Sequence, residues 1–298
     1  MRIKWLLPLA LFMGACDPID DKSWFNNEQV SLDWTIANPA TGYRPTEVTT
    51  FDVSYYPQDM ATDKQRLDYA CDQDLISFPI GTGQYDLLAI SNADCVIKEK
   101  YFRSARIEFK TELDSMQNRK IVAGGDQMLY KGYLSNISVD EKQMHNRKVV
   151  LKRLLKKITF VVNIFDYKEL TENVDVSISG VASKMLLHNG EVDADSQAIL
   201  STSIAKFGKE AESELGVHTT YKGTAYVLGV AGNNVVDISY TDSRGDSQQA
   251  QVDVSSYLKS WDTEEAVIYI NINSMLQESS VERWNTITGD IVINNEDV

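Results

Sequence analysis

The sequence predicts an all-β protein built from two tandem β-sandwiches. Three observations carry this expectation. Apolar and polar residues alternate with period two through most of the chain from residue 29 onward. About thirteen such runs, all short, are separated by turn residues. Helical patterning is confined to four brief segments, 62–70, 112–119, 206–215 and 255–260. The 298 residues, 43% hydrophobic and 24% charged, hold enough apolar material for one large core or two smaller ones, and the length favours two. That composition excludes a disordered or fibrous chain.

Taken in order, Val30, Leu32, Trp34 and Ile36 mark the first strand, each flanked by polar neighbours. Residues 48–56 repeat the pattern with Phe51, Val53 and Tyr55. Ile76, Phe78 and Ile80 run into Gly81-Thr82-Gly83, and Tyr85, Leu87 and Ala89 follow, which predicts a hairpin around the glycines. Further strands are predicted at 105–110, 148–151, 157–165, 174–181, 198–205, 223–230, 235–241, 250–254, 265–272 and 288–293. A basic cluster of Arg147, Lys148, Lys152, Arg153, Lys156 and Lys157 precedes a long apolar run from Ile158. The boundary is therefore placed there, with sandwiches at 29–150 and 151–298. All six prolines lie in the first 79 residues, and no internal sequence repeat is visible.

The first residues read as an export signal. Arg2 and Lys4 form a positive start, Trp5 to Met13 an apolar stretch too short to span a bilayer, and Gly14-Ala15 lead into Cys16. This is the pattern of a bacterial lipoprotein signal peptide at 1–15, with Cys16 as the lipidated residue. No other stretch approaches the apolar length of a membrane span, so the acyl chains would be the only anchor. Asp17, Asp20 and Asp21 make the following tether, 16–28, acidic. Removing residues 1–15 takes the net charge from −14 to −16. So acidic a chain is not expected to bind nucleic acid, whose phosphates call for a surplus of Lys and Arg.

Cys71 and Cys95 remain, an even pair in an exported chain, and a disulfide between them is expected. In the predicted hairpin Ile80 faces Gln84, which sets Cys71 opposite Ala93, two residues from Cys95. Catalytic and metal signatures are missing. His145, His188 and His218 form no ligand pair, and there is no nucleophile elbow, phosphate loop or dinucleotide fingerprint. Gly124-Gly125-Asp126, the Asp72/Asp74 pair and the Arg244-Gly245-Asp246 tripeptide read as turns. The expectation is a protein that is no enzyme, with no cofactor, metal or small-molecule substrate.

Three features together resemble the fimbrillin-like lipoproteins of the Bacteroidales, including anchor subunits of the FimB type. They are the lipoprotein Cys with its acidic tether; the strands around Val30-Ser31-Leu32-Asp33-Trp34 and Val53-Ser54-Tyr55-Tyr56-Pro57 with the segment from Phe78 to Asn92; and the run from Leu151 to Val162. Leu155 stands where a small residue is usual. The resemblance covers most of 16–180 and fades beyond. It implies two transthyretin-like sandwiches and a place in a surface fimbrium on the outer membrane, lipid-anchored and facing outward, with other fimbrial subunits as partners. Subunits of this kind assemble by adding a strand to an open sheet edge. Candidate interface residues are Val30, Leu32, Trp34 and Ile36 in the first strand and Ile291 and Ile293 in the last. Stalk subunits of this family are cleaved after a basic residue. Here the only basic residue between the first two strands is Arg44, and Pro45 follows it. That favours an uncleaved anchor or accessory subunit. Asp114-Ser115-Met116 resembles a Bacteroidetes O-glycosylation motif, which makes Ser115 a candidate for modification. A carbohydrate-binding surface lipoprotein of a glycan-uptake system is the alternative, favoured if exposed Trp or Tyr cluster on one face. A secreted hydrolase would need converging carboxylates or a metal site.

Overall fold

The computed structural model describes residues 27–59, 65–91, 93–123, 128–140, 145–170, 172–209, 217–259, 261–274 and 278–287. The fold is all-β, as the alternation predicts. The first half contains β1 (Asn27–Asp33), β2 (Phe51–Pro57), β3 (Leu67–Cys71), β4 (Leu75–Pro79), β5 (Gly83–Ser91), β6 (Val96–Ile97), β7 (Arg106–Glu108), β8 (Lys110–Leu113), β9 (Arg119–Ala123), β10 (Tyr130–Val139), β11 (His145–Val150) and β12 (Lys152–Arg153). Two layers face each other, ordered β11-β1-β4 and β12-β10-β5-β2-β3. Between them lie Trp34, Phe51, Tyr55, Phe78, Tyr85 and Leu87. Tyr55 meets Phe78 and Tyr85 edge-on at 5.4 and 5.9 Å, a preferred aromatic geometry.

The second half contains β13 (Lys156–Asp166), β14 (Val174–Ala182), β15 (Lys184–Leu186), β16 (Gln197–Lys209), β17 (Val217–Val227), β18 (Val235–Thr241), β19 (Ser247–Asp253), the one-turn helix α1 (Ser255–Leu258), β20 (Glu265–Asn273) and β21 (Glu278–Ile287). Its strands form one path, β19-β18-β14-β16-β17-β13-β20-β21. The path folds into a sandwich because β16 changes layers: Gln197 to Ile204 pair with β14, and Ala205 to Lys209 pair with β17. Gly223 makes that corner possible, since a Cβ there would lie 2.3 Å from the Ile204 side chain. A bulge in β14 between Ile178 and Val181 is served by Gly180, at φ +68, where a Cβ would meet the Asn233 carbonyl. The core is mostly aliphatic, built on Ile158, Val162 and Ile164 of β13 and Ile268, Ile270 and Ile272 of β20, with Phe160 and Tyr221 among them.

The two cores part between Leu155 and Ile158. The first nevertheless takes in Ala182, Met185, Leu187 and Leu228 from the second half. β15 pairs antiparallel with β7, and β9 bridges to β16, so strands stitch the halves together.

Several local expectations are corrected. The hairpin around Gly81–Gly83 does not form: β4 pairs with β1 in one layer and β5 with β2 and β10 in the other. The chain crosses between layers there because Phe78 and Tyr85 must both reach the core between them. Among the described residues, only 255–260 of the expected helical segments contains a helix, α1. Residues 67–71 are β3, 112–119 are the β8–β9 turn, and 206–209 extend β16. The strand expected at 288–293 lies outside the described residues, and the final described strand is β21.

Candidate functional site

The first strand is placed where its alternation demands. Val30, Leu32 and Trp34 are buried in the first core, and Ile36 is half exposed in the turn after β1. As interface candidates the first three are corrected. β1 is the middle strand of its layer, parallel to β11 over 28–33 and antiparallel to β4, so neither its edge nor its apolar face is presented to a partner. Ile291 and Ile293 lie outside the described residues, as does Cys16.

Polar groups lock β1 in place. Glu28 is fully buried; Arg147 donates to it from Nε at 3.0 Å, and Arg147 Nη2 also donates to the Ser138 carbonyl at 2.7 Å. The Tyr55 hydroxyl points at the same carboxylate. At the other end Lys148 sits 2.8 Å from Asp33. The hydrogen bonds from Lys148 and Thr35 hold the Asp33 carboxyl at about 2, below the usual carboxylate range.

Cys71 and Cys95 are thiols, not a disulfide. The reason is the missing hairpin: Cys71 ends β3, paired to Phe51 of β2, and β2 separates it from β5 and the turn that carries Cys95. Burial pushes the Cys71 thiol up to about 12, so it stays protonated at neutral pH. Ser115 is exposed at the β8–β9 turn, which Asp114 organises by accepting from the Met116 and Asn118 amides, both at 2.8 Å.

Arg44 is held down. Its guanidinium lies 4.9 Å over the Phe51 ring and donates to Asp74 Oδ1 at 2.8 Å and the Asp72 carbonyl at 2.6 Å. The Arg44 side chain is only 17% exposed.

Open backbone edges lie elsewhere. β19 and β21 end the strand order of the second sandwich and come back beside each other without backbone pairing among the described residues. β19, Ser-Gln-Gln-Ala-Gln-Val-Asp, carries no Lys, Arg or Pro of the kind that blunts an edge.

One feature escaped the sequence. A cleft of about 580 Å³ opens where β2, β5 and β10 meet the chain after β15. Its wall carries Tyr101 and Tyr133, 37% and 36% exposed. Tyr133 stacks on buried Phe102, ring centroids 4.4 Å apart and planes within 10°. Gln58 Nε2 donates to Asp86 Oδ1 at 2.7 Å and Asn136 Oδ1 at 2.9 Å, and the Asn136 amide donates to Asp86 Oδ1. Asn136 has φ +55 at a bulge in β10 between Leu134 and Ile137. These residues are scattered over much of the chain. The only sequence signal was Ser135-Asn136, which interrupts the apolar alternation from Tyr130 to Val139.

The layers and the strand pairing define an all-β protein of two sandwiches. Particular structures share the fold. The chain matches a candidate adhesin of Bacteroides ovatus (TM-score 0.56, 14% identity, 79% of this chain and 85% of that one). It also matches a candidate adhesin of Bacteroides thetaiotaomicron (0.55, 10%, 87% and 96%) and the fimbrial anchor protein Mfa2 of Porphyromonas gingivalis (0.51, 12%, 87% and 96%). No protein-family model matches the sequence, and no curated protein matches it significantly.

Proposed function

We propose that this protein is a non-catalytic component of a surface fimbrium, held in the outer membrane by lipid on Cys16 and facing the cell exterior. Its partners in this reading are other fimbrial subunits, and contact is made by strand addition at the seam between β19 and β21. The observation that carries the reading is that seam: two sheet ends with unshared backbone groups, in a chain whose fold matches that of a fimbrial anchor protein. A partner strand added to either edge would satisfy the unshared donors and acceptors of that edge.

Arg44 supports an anchor or accessory role rather than a polymerising one. A trypsin-like protease must draw the arginine into its own pocket, whereas this one is engaged by Asp72, Asp74 and Phe51, and Pro45 follows it. The same reading makes exposed Ser115 a glycosylation site; an unshifted mass for its peptide would dismiss that part.

The test is to isolate surface fimbriae from cells carrying wild type or Cys16→Ala. Detached fimbriae in the variant are expected. Unchanged attachment and length would overturn the reading, as would a mature chain beginning near Pro45.

A further inference from the structure

We propose that the cleft between Tyr101, Tyr133 and the Gln58–Asp86–Asn136 cluster binds a neutral pyranose unit of a glycan. A pyranose has an apolar C–H face and a rim of hydroxyls. It is bound by an aromatic face beside planar side chains that both donate and accept. The cleft supplies both. Tyr133 is stacked on Phe102 and so is already immobilised, which lowers the entropic cost of using its exposed face. Tyr101 stands on the same wall.

The polar side is equally prepared. Gln58 Nε2 is committed to Asp86 and Asn136, which orients both amides. With Gln58 Nε2 and Asn136 Oδ1 engaged, Gln58 Oε1 is an acceptor and Asn136 Nδ2 a donor on the same cluster. One further atom points to a missing polar partner. His188 Nδ1 is buried with no hydrogen bond among the described residues, and His188 lines this cleft. A buried polar atom left unpaired is costly, and a ligand hydroxyl would satisfy it. The volume falls within the range of small-molecule pockets, roughly 300–1,000 Å³. Asn136 holds a left-handed backbone at a bulge, a strained conformation of the kind found where a side chain is aimed at a ligand.

The charge argues for a neutral sugar. Asp86 stands inside the cleft and Arg103 lies on its lining, so the walls carry no net surplus of positive charge. A chain of net charge −14 repels acidic glycans at long range.

The experiment presents the full chain, in detergent, to an array carrying neutral gluco-, manno-, galacto- and xylo-oligosaccharides beside sialylated and sulfated ones. Retention on neutral oligosaccharides is expected. Tyr133→Ala should weaken it at least tenfold. Asn136→Gly should weaken it about fivefold while the melting temperature holds or rises, because glycine accepts the left-handed backbone. Tyr43→Ala, in a distant exposed loop, should leave it unchanged. No retention by wild type, retention of acidic glycans alone, or affinity indifferent to both Tyr133 and Asn136 would overturn the proposal. Fimbrial attachment in Cys16→Ala cells is a separate readout, so the two readings fail independently.

Discussion

The first sandwich buries Trp34, Phe51, Tyr55, Tyr56, Phe78 and Tyr85; a pair between buried Glu28 and Arg147 ties β1 to β11 within one layer, and Arg147 reaches the Ser138 carbonyl of β10 in the other. The second buries mostly Ile and Val and has long strands, eleven residues in β13 and thirteen in β16. Short strands carry few alternating positions, so large rings and a specific ion pair supply burial and register in the first half. Long β-branched strands specify their own register in the second, because a one-residue slip would turn every Ile outward. The first half consequently depends on particular polar partners, and the second on volume at its corner.

That contrast can be broken most sharply at Arg147. Arg147→Ala leaves Glu28 buried without its partner, and a loss of about 3–5 kcal/mol is expected from urea unfolding. Pairing it with Glu28→Gln should recover part of the loss, as a double-mutant cycle would show. Next comes Gly223→Ala, which pushes a methyl into Ile204 where β16 changes layers; overpacking should cost about 1–3 kcal/mol. Ile270→Val removes one methylene from the aliphatic core and should cost about 0.5–1.5 kcal/mol by the same measurement.

The smallest effect is a pH dependence present in both halves. Asp33 is held at about 2 by Lys148 and Thr35. Asp242 is also held at about 2: desolvation opposes this, but hydrogen bonds from the Asp246 amide, Arg244 and Gln248 outweigh it. A carboxyl lowered in the folded state stabilises fully above its unfolded value, and the contribution is lost as pH falls through the folded one. The urea midpoint should therefore drop between about pH 4 and pH 2, the interval separating the ordinary Asp value from these two. Asp33→Asn and Asp242→Asn should each flatten that slope.

Legibility was highest in four long strands of the second half, although β15 and β21 carry no expected strand and β17 begins six residues before its expected start. Residues 235–241 were read to the residue, and β13, β14 and β20 to within one or two, because each alternates strictly across one buried face. In the first half, β3, β6, β8, β9 and β10 do not stand out in the sequence pattern, and Gly81–Gly83 carries the pattern of a hairpin that does not form. Two glycines between alternating runs are compatible with a hairpin or a layer crossing, and only the positions of Phe78 and Tyr85 in the core separate these. The disulfide expectation failed with that hairpin. The interface residues of the first strand were legible as apolar but not as core, since alternation says that a face is covered and not by what.

The sequence by itself determined the all-β class and the face of each long strand that points inward, because both are written in local periodicity. Only the tertiary structure decided that β1 is a middle strand, that β19 and β21 end side by side, and that Gln58, Asp86, Asn136, Tyr133 and His188 share one cleft. Those depend on which strands pair across long separations, and pairing partners leave no local pattern for a single strand to display.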